Sequence, residues 1–299
     1  MTIRLFYKGM GSLALLFCWQ AATAAMRDDV EVLTQDKQGA HLYSDALRSA
    51  WTYYRRADLQ NARSVFEEVL AHSDVPVPDR IQALYGRGLS AVYQRPDPDI
   101  DSARQSFTEI VERYSESAIA PWALIELGNL SNHKEDPFAE EAIPFFEQVL
   151  SNYPNHVAIH EATLRLANAY FYRLDKESSD RALTILEEHL LQYPDNPLAE
   201  VMLLRVDYWY AVARQDFERS IPFAVELGHR GMNDPFRWSR QYWHIAEMYR
   251  SRLGMKEKAV PWYQRIIEEM PESVHTFTAR QRLKEVREGG TSSGQEGSE

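Results

Sequence analysis

Two histidines, His156 and His160, stand four residues apart in NHVAIHEATL, a spacing that sets both rings on one face of a helix, as metal ligation requires. His160-Glu161 is not followed by the second histidine of a His-Glu-x-x-His zinc site, so both are expected to be ordinary surface histidines. His189 falls at a position that is small and buried elsewhere in the chain and is expected to pack between helices. Acid pairs recur as Glu67-Glu68, Glu140-Glu141 and Glu187-Glu188. Paired carboxylates can share acid and base roles, but Glu67-Glu68 and Glu187-Glu188 share one register position, five residues after Ala62 and Ala182, which marks a solvated helix face instead. Gly86-Arg87-Gly88 lacks the third glycine of a dinucleotide turn and lies inside a predicted helix. The chain has no Gly-x-Ser-x-Gly elbow and no Walker lysine loop. The residues therefore predict no catalytic, metal or cofactor site, and a protein that is not an enzyme.

The elements behind these residues begin with a leader. Arg4 and Lys8 precede the apolar run Ser12–Trp19, and small residues follow at Ala22-Thr23-Ala24-Ala25. This is the pattern of a secretory signal peptide over residues 1–25, cleaved near Ala24 or Ala25. The run is too short to span a bilayer, which takes about 20 residues. Cys18 is preceded by Leu15-Leu16-Phe17, and Phe17 stands where a lipobox carries Gly, Ala or Ser, so a lipid anchor is not expected. Cleavage after Ala24 or Ala25 leaves a chain without cysteine, hence without disulfides. The whole chain has 33 basic and 44 acidic residues, a net charge of −11; without the leader it has 31 against 44, or −13. That balance argues against nucleic acid, which is held by clustered basic side chains. Export with an acidic body places the protein in a periplasm, meeting the membrane only through partners.

An amphipathic line recurs six times: NARSVFEEVL, SARQSFTEIV, EAIPFFEQVL, RALTILEEHL, RSIPFAVELG and KAVPWYQRII. Its anchors Ala62, Ala103, Ala142, Ala182, Ser220 and Ala259 are spaced by 41, 39, 40, 38 and 39 residues. Each line follows a second apolar segment at helical spacing, such as HEATLRLANAYFY, so each unit reads as helix, loop, helix. SNYPNHVA, LLQYPDNPLAE and EEMPESVH punctuate the joints, and ERYSESAI is a version without proline. The boundaries are a polar segment over 26–41, the repeat array over 42–288 closed by a capping helix from Ser273, and a disordered Gly/Ser-rich tail over 289–299. Asp136-Pro137 and Asp234-Pro235 read as helix starts.

These lines resemble the tetratricopeptide repeat, whose unit carries Trp-x2-Leu-Gly-x2-Tyr, then Ala-x3-Phe, Ala and Pro. Leu127-Gly128 and Leu166-Ala167 match the Leu-Gly pair, and Tyr53, Tyr93, Tyr170, Tyr210 and Tyr249 match the tyrosine. Ala62/Phe66, Ala103/Phe107 and Ala142/Phe146 match Ala-x3-Phe, and Pro154, Pro194 and Pro271 follow their alanines by twelve residues. The fifth unit departs most, with Asp207 for the small residue and Ser220 for the alanine. The resemblance implies an all-α, α-α superhelix of about six helical hairpins with a C-terminal cap. The repeats are similar in style to two bacterial envelope families, the tetratricopeptide lipoprotein of β-barrel assembly and the Tol–Pal-associated cell-division coordinator. Unlike them, this chain has neither a lipobox nor an N-terminal coiled coil.

The resemblance further implies a concave groove lined by first helices, which takes peptide or envelope-protein segments. Positions just outside the packing motif are the candidates: Trp51, Tyr54 and Arg55, then Trp122 and Asn129. Asn168, Phe171 and Tyr172 follow, with Tyr208, Arg240, Trp243 and Arg250 in the last two units. Asn129 and Asn168 are equivalent and could bridge backbone groups of an extended peptide, whereas Ile125 and Leu164 replace the lysine of a carboxylate clamp. The expected function is a periplasmic protein-interaction scaffold. The alternatives are an accessory of polysaccharide export and a cell-wall-active enzyme; the latter needs two acids facing one cavity, and the sequence shows no such pair.

Overall fold

The computed structural model describes residues 43–131, 140–230 and 235–291. The leader with Cys18 and the Ala24–Ala25 cleavage site, the 26–41 segment, Asp136-Pro137 and Asp234 lie outside the described residues. Among those described there are thirteen α-helices and no strand. The chain divides into two compact units, Met1–Leu198 and Ala199–Glu299.

The first unit holds four helical hairpins of tetratricopeptide type: α1 (Ser44–Arg55) with α2 (Leu59–Ala71), α3 (Val77–Tyr93) with α4 (Ile100–Arg113), α5 (Ala120–Ser131) with α6 (Ile143–Asn152), and α7 (Ala158–Tyr172) with α8 (Lys176–Gln192). The second unit holds α9 (Ala199–Tyr208) with α10 (Phe217–Arg230), α11 (Pro235–Glu247) with α12 (Lys256–Glu269), and the terminal α13 (Thr276–Thr291). α13 runs past the Glu288 boundary drawn from the sequence, and residues 292–299 lie outside the described residues.

The packing motif explains the hairpins. Every aligned anchor, from Ala62 to Ala259, is fully buried, and so is the residue four later: Phe66, Phe107, Phe146, Leu186, Ala224 and Tyr263. In the first unit the ring seats on a glycine of the facing helix. A Cβ on Gly88 would lie 2.6 Å from the Phe107 ring, and one on Gly128 would lie 2.5 Å from that of Phe146. Gly86 receives Phe66 from the preceding hairpin, where a Cβ would stand 2.2 Å from the ring. The Gly-Arg-Gly run is thus a seat for two phenylalanines on a helix, and it carries no phosphate-binding turn.

The joints share one construction. Tyr114, Tyr153, Tyr193 and Met270 each follow a second helix and donate their N–H to the carbonyl four residues back, at 2.8–3.2 Å. Three residues on, Ser117, His156, Asn196 and Ser273 donate N–H to the tyrosine or methionine carbonyl at 2.9–3.2 Å. His156 Nδ1, Asn196 Oδ1 and Ser273 Oγ then accept from the N–H two residues later, at 3.1, 2.8 and 3.2 Å. Such side-chain caps satisfy amides that the following helix leaves unpaired. Tyr153 also donates its hydroxyl to the Ser115 carbonyl at 2.8 Å, tying one joint to the one before it.

Candidate functional site

The two units differ in how their first helices end. In the first unit α1 and α7 close on left-handed residues, Ala57 and Leu174, each followed by an aspartate cap, Asp58 and Asp175. The buried small residues Ala50 and Ala167 precede those left-handed residues by seven positions. In the second unit the equivalent spans, Asp207 to Gln215 and Ala246 to Gly254, are eight. One extra residue per hairpin is taken up by π-helical turns, Trp209–Arg214 after α9 and Met248–Arg252 after α11. π turns of this kind concentrate at functional sites because they widen a helix and redirect its side chains.

A cavity of about 600 Å³ lies against these two turns. Ala211, Val212 and Gln215 come from the first turn and its end, Phe217 from α10, Arg240, Trp243, His244 and Glu247 from α11, and Met248, Ser251 and Arg252 from the second turn. Its volume is that of a small-ligand or side-chain pocket. Trp243 stacks on His275 at 5.2 Å and 12°, and the Arg252 guanidinium lies 5.2 Å from the Phe217 ring centre. Glu247 is the carboxylate of the wall. Arg250 grips it at 3.2 and 2.8 Å, and Ser251 and Tyr263 donate at 2.9 and 2.5 Å. Burial opposes its charge, but these donors win and hold its pKa below the usual carboxylate value. Burial and the positive charge of Arg240 both lower the pKa of His275.

Behind the cavity wall sit the two departures of the fifth repeat, and they answer each other. Ser220 Oγ donates to Asp207 Oδ1 at 2.5 Å, and His244 Nε2 lies 3.2 Å from Asp207 Oδ2. Serine, aspartate and histidine meet here in the wrong order for hydrolysis. The carboxylate stands between the other two, so the imidazole has no serine proton to take, and Ser220 is fully buried. The trio is a polar lock joining α9, α10 and α11, with Asp207 and Ser220 buried and His244 half-buried in the cavity wall.

The family profile described as YfiO, outer membrane lipoprotein, matches residues 131–289, more than half of the chain and the whole of this cavity. The chain belongs to the YfiO outer membrane lipoprotein family. A crystal structure of a tetratricopeptide repeat protein from Parabacteroides merdae is similar to this YfiO-family chain at 14% identity and a TM-score of 0.46, covering 94% of this chain and 98% of that one. No curated protein matches it. Among the described residues no helix is long and apolar enough to cross a membrane.

The structure sorts the predicted groove residues of this YfiO-family chain. Arg240 and Trp243 come together in the cavity. Arg250 does not offer its charge outward, because both its contacts go to Glu247. Tyr208 is half-buried edge-on to Trp209. In the first unit Trp51 is half-buried, edge-on to Phe66 and Tyr54, and Arg55 is exposed. Trp122 and Phe171 are 3% and 1% exposed, so they are core residues with no surface for a partner. Asn168 and Tyr172 are half-buried, while the Asn129 amide is turned onto Glu126 at 3.4 Å.

Sequence reasoning missed several polar residues. Glu126 and Glu161 are both buried, the first with its pKa pushed up to about 6 by burial. Arg165 binds Glu161 at 2.6 Å. This acid pair is buried among first helices and lines no described cavity. His189 packs between helices as expected, but His156 and His160 are not plain surface histidines. His156 is a joint cap, and His160 is half-buried against His189, their ring nitrogens 2.9 Å apart. Burial, then the His160 charge, pushes the His189 pKa down to about 4, so the pair is neutral at neutral pH. Phe217, His244 and Arg252 of the cavity carry no motif; the signal that locates them is the eight-residue span beside them.

Proposed function

We propose that this chain is an interaction scaffold of the bacterial envelope, exported by residues 1–25 and cleaved near Ala24–Ala25, that holds segments of partner envelope proteins. On this reading the protein works in the periplasm without catalysis. Its main contact site is the π-turn cavity of the second unit, with Tyr54 and Arg55 as contacts of the first. The observation that carries the reading is the cavity itself: an accessible aromatic, Trp243, beside an exposed arginine, Arg240, in a tetratricopeptide hairpin. Membership of a family described as outer membrane lipoproteins supports the envelope assignment.

A photo-crosslinking amino acid at position 243 tests it in the native host, with position 191, 85% exposed and outside the cavity, as the control. Discrete envelope-protein adducts at 243 and none of the same at 191 are expected. Identical adduct patterns at both positions would sink the site.

A further inference from the structure

The charges around the cavity are not those of the chain. The protein carries −11 overall, yet the wall presents Arg240 and Arg252, and its carboxylate, Glu247, is already saturated by Arg250, Tyr263 and Ser251. Elsewhere in the second unit, Arg230 pairs with Glu226 and Arg265 with Glu269, at 2.8 and 2.7 Å. Arg240 and Arg252 have no carboxylate partner among the described residues, and both are exposed at the cavity. Between them lie apolar surfaces: Trp243, fixed by its stack on His275, with Phe217 and Met248. Guanidinium groups bind carboxylates through paired N–H donors, and a flat aromatic beside them takes an apolar neighbour.

We propose that the π-turn cavity is a carboxylate-binding site that takes an acidic side chain of an extended partner segment, with the adjoining apolar side chain of that segment against Trp243 and Phe217. This rests on the scaffold reading and deepens it. The π turns explain why the site stands in the second unit: the inserted residues bring Ser251 and Arg252 into the same wall as Arg240 and Trp243. The first-unit hairpins α1–α2 and α7–α8, with seven-residue spans, lack the inserted residue that makes that wall.

The test uses the leaderless protein and a fluorescein-labelled probe peptide, Gly-Phe-Asp-Phe-Gly with blocked ends, followed by anisotropy. Its Asn counterpart and phosphatidylglycerol vesicles form the other arms. We expect the Asp peptide to bind at least about tenfold more tightly than the Asn peptide, the scale of one charge-assisted pairing. R240E and R252E should each abolish that preference, and R280E, an exposed arginine outside the cavity, should leave it intact. Deleting the exposed Val212, which returns the α9 span to seven residues, should also remove the preference while leaving the helical circular dichroism unchanged. Equal affinity for the two peptides overturns the proposal, as does a preference that survives both arginine reversals. Vesicle binding lost in R240E without peptide discrimination overturns it too. Adducts at position 243 alongside equal peptide affinities would leave the scaffold standing and remove only the carboxylate.

Discussion

The α5–α6 hairpin of the first unit and the α9–α10 hairpin of the second are built on one motif and solve the same packing problem in opposite ways. In the first, a small residue faces a large one: Gly128 lies under Phe146, and both are apolar. In the second, Asp207 occupies the glycine position, and the residues opposite are Ser220 and Ala224, so a hydrogen bond stands where a ring would be. The glycine has moved to the other helix, where a Cβ on Gly228 of α10 would come within 2.8 Å of Trp262 and 2.9 Å of Ile245. Two carboxylates, Glu126 and Glu247, differ as well. Glu126 has one long amide contact and an elevated pKa, whereas Glu247 has Arg250, Tyr263 and Ser251 and a depressed one. At this position packing shape orders the α5–α6 hairpin, and a hydrogen bond orders α9–α10.

The sharpest way to break this contrast is to remove the ring. Phe107→Ala should cost about 3–5 kcal/mol, the usual price of emptying a fully buried aromatic site, because Gly88 offers no side chain to fill the space. Gly88→Ala should also destabilise, since the new Cβ meets the Phe107 ring at 2.6 Å. Denaturant midpoints on both variants check this. A Phe107→Ala loss under about 1 kcal/mol would show that the ring is not a principal packing element.

Next in size is the polar lock. Either Asp207→Ala or Ser220→Ala alone strands a buried partner, at about 1–3 kcal/mol each. The double variant should lose less than the sum, with a coupling of about 1 kcal/mol or more in a double-mutant cycle. Strict additivity would mean that the 2.5 Å contact between them does not stabilise the fold.

The carboxylates predict opposite responses to pH. The folded state holds the Glu126 proton more tightly than the unfolded chain does, its pKa rising from 4.5 to about 6. The associated stability is complete below pH 4.5 and is lost as pH rises through 6, amounting to about 2 kcal/mol. Glu126→Gln should therefore stabilise at pH 8 by up to that amount and have little effect at pH 4. Glu247, with its lowered pKa, contributes stability above the usual carboxylate value and loses it as pH falls. Glu247→Gln should then destabilise at pH 8. Matching pH profiles for the two variants would refute the contrast.

How much of this was legible depends on how local each signal is. The anchor alanines and the residues four later lie on one helix, so the repeat and its core can be read from spacing alone, and all six pairs are buried. The π turns are written as one added residue inside spans whose period already varies from 38 to 41, which hides them until the left-handed residues mark the span. Groove residues are harder still. A first helix packs on its own hairpin and on the next, so Trp122 and Phe171 are buried by neighbours that a single helix does not reveal. Trp243, with similar local sequence support, reaches a cavity because a π turn follows it.

The joints supply the finest comparison, since three carry a side-chain cap and one does not. His156, Asn196 and Ser273 each accept from an N–H two residues on, whereas the Ser117 hydroxyl at the proline-free joint is buried with no partner among the described residues. Asn196→Ala should cost about 1 kcal/mol, the usual value of a helix-start cap. Ser117→Ala should be neutral or slightly stabilising, because it removes an unsatisfied hydroxyl and breaks no bond. Melting temperatures of the two variants read this directly. Equal losses at Ser117 and Asn196 would mean that the backbone turn alone, common to all four joints, starts each helix.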